Sequence, residues 1–105
     1  MADLTDREIL EACARACEIE LKWDGDFPYR IKRTGNSQDW NPIENDGDCA
    51  RMENMCGVIV DCSQGRSQIP TWTWQPFNPF ISAERRRASC LVVARAQIEK
   101  EKGGA

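Results

Sequence analysis

The sequence predicts an α+β fold, three helices alternating with two groups of short strands in the order α-β-β-α-β-β-α. Three observations point to it. Apolar residues recur at helical spacing near the start, middle and end of the chain. Between these segments lie β-prone runs, 29–33 and 58–62, bounded by Gly, Pro, Asp and Ser. Finally, 105 residues is close to the commonest domain size, enough to bury one modest core. Residues 1–102 are therefore expected to form a single compact domain, with 103–105 as a frayed tail.

The first helix opens at Thr5, whose hydroxyl caps free backbone N–H groups while Glu8 completes a capping box. Leu4 and Ile9 are placed to form a hydrophobic staple. Ile9, Leu10, Cys13, Ala16 and Cys17 then share one face. Cys13 and Cys17 read as small core residues, because one helical turn is not a zinc-knuckle spacing. Asp24-Gly25-Asp26 reverses the chain into a short strand, Tyr29 to Arg33, which Pro28 restricts to an edge or to a strand start. Thr34-Gly35-Asn36-Ser37 ends it as a turn.

The next stretch, Trp40 to Arg51, organises the chain. Trp40 is a large apolar anchor expected to be buried. Pro42 keeps Asn41 out of helical geometry. Asp46 is placed to cap a helix whose first turn carries Asp48, both acids suiting the positive end of the dipole. Cys49, Met52, Met55 and Cys56 form its apolar face, and Gly57 ends it as a left-handed residue. The Asp46-Gly47-Asp48 run is not a calcium loop: with Gly47 as the required glycine, Pro42 falls where the first carboxylate ligand must be.

Val58-Ile59-Val60-Asp61-Cys62 is the most β-prone run and reads as a central strand. Ser63 to Arg66 turn it, and Ile69 to Gln75 return as its partner, with Pro70 near a sheet edge. Trp72 and Trp74 share one face of that partner, and Thr71 and Thr73 the other. The two tryptophans are either core beneath a helix or, with Phe77, an exposed protein-binding patch. Asn78-Pro79 opens the last helix. Its apolar face runs through Phe80, Ala83, Cys90, Leu91, Ala94 and Ile98, with Arg85, Arg86 and Arg87 elsewhere on its circumference. Lys100 and Lys102 suit its negative end.

Composition narrows the function classes. The formal net charge is −3, from 14 basic and 17 acidic residues, which does not favour general nucleic-acid affinity. Histidine is absent, removing the commonest general base and metal ligand. An enzyme would have to rest on Asp46, Asp48 and Asp61, or on Cys62 as a nucleophile with no ready base. The chain therefore reads as a non-enzyme without a cofactor. The six cysteines lack a secretory signal beside them, so reduced thiols in the cytoplasm are expected, a zinc site on four of them being the lesser alternative. A second function class, nucleic-acid association, would use a basic patch of Arg85, Arg86, Arg30 and Lys32. Three consecutive arginines, however, span roughly 200° of a helix and cannot all face one groove.

The segment Trp40-Asn41-Pro42-Ile43-Glu44-Asn45-Asp46-Gly47-Asp48 through Met52 resembles the signature of the phage ABA sandwich family. The family combines a Trp-Asn-Pro-hydrophobic turn with an Asp-Gly-Asp helix start. Asn78-Pro79 leading to Arg86-Arg87-Ala88 is similar to the family's last helix, so the resemblance spans most of residues 40–98. It departs in its helix cysteines and in the aromatic run around Trp72, Trp74, Phe77 and Phe80. The resemblance implies an α-β sandwich, helices on a small, mainly antiparallel sheet of three to four strands, and a phage or prophage origin in the host cytoplasm. It carries no activity to transfer. The expected role is that of a small accessory protein binding a host or phage protein or another copy of itself, without a membrane.

Overall fold

A computed structural model describes residues 4–32, 34–61, 63, 65–68, 74–78 and 80–103, without the Trp74 side chain. The elements are α1 (Asp6–Ala16), β1 (Leu21–Asp24), β2 (Phe27–Ile31), β3 (Ser37–Asp39), α2 (Asp46–Cys56), β4 (Ile59–Asp61), β5 (Arg66–Gln68), β6 (Trp74–Pro76) and α3 (Ser82–Gly103). The fold is α+β in the expected order. Each strand group forms its own antiparallel three-stranded sheet, ordered β1-β2-β3 and β4-β5-β6.

The start of α1 follows directly from its sequence. The Glu8 N–H donates to Thr5 Oγ1 at 3.2 Å, and the Thr5 N–H donates to Glu8 Oε1 at 3.0 Å. The other end closes with a paired motif: Ile19 N–H reaches the Ala14 carbonyl at 2.8 Å, and Glu18 N–H reaches Arg15 at 3.2 Å. Such a turn needs a left-handed residue, and Glu18 adopts φ 56° where glycine is usual.

In the first sheet Gly25, at φ 62°, takes the first position of a two-residue turn joining Asp24 to Phe27. Pro28, expected at an edge or at a strand start, lies in the central strand but one residue from its start. The register explains this. Pro28 pairs with Trp40 at the end of the β2–β3 ladder, where its carbonyl still accepts from Trp40 N–H at 3.4 Å. Only the terminal bond of that ladder is lost to the missing N–H.

The cap of α2 is Asn45, one residue before the expected Asp46, and its side chain accepts from Asp48 N–H at 2.9 Å. Gly57 ends the helix at φ 68°. Met55, expected inside, is 64% exposed; Glu53 takes the inward position instead. The second sheet also departs from expectation. Apolar β4 is an edge strand, with Ile59 48% exposed, and the polar strand β5 is central. The partner of β4 thus begins at Arg66, not at Ile69.

The last helix opens at Ser82, later than Asn78. Asn78 folds a separate turn, its side chain accepting from Phe80 N–H at 3.0 Å and its carbonyl from Ile81 N–H at 3.1 Å. Phe80 is consequently 95% exposed and Ala83 is exposed, neither belonging to the apolar face. Gly103, expected to fray, still belongs to α3, while 104–105 lie outside the described residues. The core is built mainly from the inner faces of α1, α2 and α3 around Trp40, with Ile9, Leu10, Cys13, Met52, Cys90 and Val93 at its centre. Among the described residues no helix is long and apolar enough to cross a membrane.

Candidate functional site

The stretch from Trp40 to Arg51 forms a tied turn. Trp40 is 3% exposed and Pro42 is fully buried. Asn41 folds the chain locally, its Oδ1 accepting from the N–H groups of Ile43 and Glu44 at 3.1 and 3.2 Å. Its own N–H donates to Asp48 Oδ2 at 2.9 Å, and Arg51 takes the second Asp48 oxygen at 2.6 Å. Arg86 then staples α3 to the turn, donating from Nε to the Ile43 carbonyl at 2.9 Å and from a terminal nitrogen to Asp46 at 2.7 Å. A side chain on Gly47 would approach Asn45 Oδ1 to 3.2 Å, closer than the cap tolerates without shifting. Asp48 is buried and bonds back to the backbone, so it does more than complement the helix dipole.

An open polar cleft of about 560 Å³ lies beside this turn, lined by Gln38, Asp39, Asn41, Glu44, Asp48 and Arg51 among others. Its buried carboxylate, Asp48, is fully engaged by Asn41 and Arg51. Among the described residues no cluster of three or more Cys, Asp or Glu is arranged to hold a metal ion.

A second polar centre joins α2, α3 and β5. Glu53 Oε1 accepts from Arg85 at 2.8 Å and Oε2 from Ser89 Oγ at 2.6 Å. Ser89 Oγ lies 2.9 Å from Ser67 Oγ, both hydroxyls being fully buried. Buried polar groups must be partnered, and here each satisfies the next. The sequence carried a signal for this: Glu53 occupies the apolar stripe with Cys49, Met52 and Cys56 at helical spacing.

The two candidate patches are not assembled as expected. Phe77, proposed as part of an exposed aromatic patch, is only 8% exposed, its N–H donating to the Gly65 carbonyl at 2.7 Å. Trp72 and the Trp74 side chain lie outside the described residues, as do Arg33, Cys62, Ile69, Pro70, Thr71, Thr73 and Pro79. Of the basic candidates, Arg85 pairs with Glu53, Arg86 with Asp46, and neighbouring Arg87 with Asp6. Arg30 is half-buried with Nε lacking a hydrogen-bond partner among the described residues, and Lys32 is exposed. Asp61 accepts from the Ser63 N–H at 3.0 Å and from its hydroxyl at 2.6 Å.

The five described cysteines divide into two groups. Cys13, Cys49 and Cys90 are fully buried, with Cys13 Sγ donating to the Cys90 carbonyl at 3.3 Å. Hydrogen bonding to Cys90, then burial, holds the Cys49 thiol well above its ordinary pKa. Hydrogen bonding with Cys13 leads the corresponding rise at Cys90. Cys17 and Cys56 form a separate pair with sulfurs 3.9 Å apart.

The feature that sequence reasoning missed is an apolar tip. Phe77 points inward, the Asn78 turn follows, and Phe80 and Ile81 face outward ahead of α3. Comparisons with protein-family models, with curated proteins and with solved structures returned no match.

Proposed function

We propose that this chain is a small, non-enzymatic accessory module that acts by binding another protein through the tip formed by Phe80 and Ile81. The observation that carries the reading is the 95% exposure of Phe80 on a turn held at both ends. Leaving a phenylalanine in water forgoes about 1.5–3 kcal/mol of burial. A held turn also loses little conformational freedom when a partner covers it. Aromatic anchors of this kind carry most of the energy in many interfaces. The internal pairing of Arg85 and Arg86 gives the nucleic-acid alternative less support. The resemblance of residues 40–52 to the phage ABA sandwich signature supports a phage or prophage setting, and with it a role in the host cytoplasm.

The test compares the wild-type chain with Phe80→Glu. Light scattering over a concentration series detects self-association, and immobilised protein detects retained partners from a bacterial lysate. The reading expects either a dimer or a retained partner that Phe80→Glu abolishes while its thermal unfolding is unchanged. A monomer with identical retention profiles for the two chains would sink it.

A further inference from the structure

Cys17 and Cys56 stand apart from the buried cysteines in place and in surroundings. Cys17 caps the C-terminal end of α1, and Cys56 is the last residue of α2. Two helices from different parts of the chain therefore deliver their final thiols to one spot, with the sulfurs 3.9 Å apart. Cys17 is buried, whereas Cys56 keeps access to solvent. Arg30 on β2 lies close enough for its charge to act on Cys17, and its buried Nε has no hydrogen-bond partner among the described residues. That charge favours the thiolate of Cys17, against the larger opposing effects of hydrogen bonding and burial.

We propose that Cys17 and Cys56 are an oxidisable dithiol, with Cys56 the peroxide-reactive sulfur and Cys17 the thiol that resolves it into a disulfide. The step takes hydrogen peroxide as oxidant. The Cys56 thiolate attacks one peroxide oxygen, an S–O bond forms, the O–O bond breaks, and hydroxide leaves and is protonated to water. Cys56 is then a sulfenic acid. Cys17 gives up its proton and attacks the Cys56 sulfur. The S–S bond forms, the S–O bond breaks, and a second water leaves. In total, two thiols and one peroxide yield one disulfide and two waters.

The assignment of roles follows from the surroundings. A hydrogen bond from Cys17 lowers the Cys56 pKa against the effect of burial, while the same bond, then burial, raises that of Cys17. Access decides the roles: Cys56 is the sulfur that peroxide can reach, whereas Cys17 is buried. Bonding requires the sulfurs to close from 3.9 Å to about 2.05 Å. Cys56 sits at a helix end, immediately before the left-handed Gly57, and is only partly buried. Cys13, Cys49 and Cys90 have no such access to solvent and stay reduced.

The experiment treats the folded, fully reduced chain with stoichiometric hydrogen peroxide, blocks remaining thiols by alkylation and maps tryptic peptides by mass spectrometry. The expected product joins peptide 16–22 to peptide 52–66 through Cys56, located by fragmentation because Cys62 shares the second peptide. Reductant reverses it, and the oxidised chain melts higher by on the order of 10 °C, since the link closes a loop of about 40 residues. In Cys17→Ser, dimedone labels Cys56 as a trapped sulfenic acid. A linkage from Cys56 to Cys62, oxidation of buried cysteines first, or a Cys17–Cys56 bond that forms only after denaturation would each overturn the proposal. The wild-type map decides the matter even if a variant fails to fold.

Discussion

Removing the Glu53 carboxylate tests whether the polar centre between α2, α3 and β5 holds these elements together. Glu53→Ala deletes two charge-assisted hydrogen bonds, to Arg85 at 2.8 Å and to Ser89 at 2.6 Å. Ser89 keeps Ser67 as a partner, so its hydroxyl is not orphaned. Arg85 is left as a partly buried cation. Breaking a fully buried ion pair costs about 3–5 kcal/mol. The Arg85 side chain keeps 30% of its surface exposed, and water there partly replaces the lost carboxylate, which places the expectation near the lower end. Glu53→Ala should therefore destabilise the chain by about 3 kcal/mol in urea unfolding, lowering the melting temperature by roughly 10–20 °C. In a double-mutant cycle with Arg85→Ala the two changes should be coupled by about 1–2 kcal/mol. A loss below about 1 kcal/mol for Glu53→Ala, or additivity within about 0.3 kcal/mol in the cycle, would refute the reasoning.

Two further substitutions probe the backbone frame. Trp40→Ala should cost about 3–5 kcal/mol, the range for an emptied aromatic site, read by urea unfolding; an unchanged midpoint would show that the indole is no anchor. Glu18→Gly should stabilise by about 0.5–1 kcal/mol in the same assay, since it relieves left-handed backbone at φ 56° and leaves the turn's hydrogen bonds intact.

Features that depend on neighbours in sequence were legible from the chain itself. Thr5 and Glu8 announce α1, Gly57 announces the end of α2, and Trp40 with Pro42 marks a buried turn. The exact cap of α2 was one residue off because Asn45 and Asp46 are equally good capping residues, and only the path of the turn chooses between them. The second sheet was the hardest part. Its central strand reads Arg66-Ser67-Gln68, without apolar alternation, because Ser67 is stabilised inside by Ser89, which lies 22 residues away in sequence. The apolar strand β4 invites a central reading, yet propensity reports fitness for a pleated surface and says nothing of position within a sheet. Phe80 was assigned to a helix face by spacing alone, but the Asn78 turn delays the helix and leaves that ring outside. The site residues divide along the same line. Asn41, Asp46 and Asp48 were visible as a motif, whereas the role of Arg86 in binding Ile43 and Asp46 depends on a contact across 40 or more residues.

The pairing of α1 with α3 has a consequence for how the chain acquires its structure. Cys13 meets Cys90 across 77 residues, Asp6 meets Arg87 across 81, and Arg15 meets Glu101 across 86. Every one of these contacts closes a loop spanning most of the described chain. During synthesis the apolar face of the first helix emerges long before α3, its main partner, so Ile9, Leu10 and Cys13 stay incompletely covered until α3 has been made. Folding accordingly waits for α3 and is slower than the helical content alone would set, because long-range closure governs the rate. Nascent fragments ending before residue 82 carry an incompletely covered helix face and are natural substrates for chaperones and proteases.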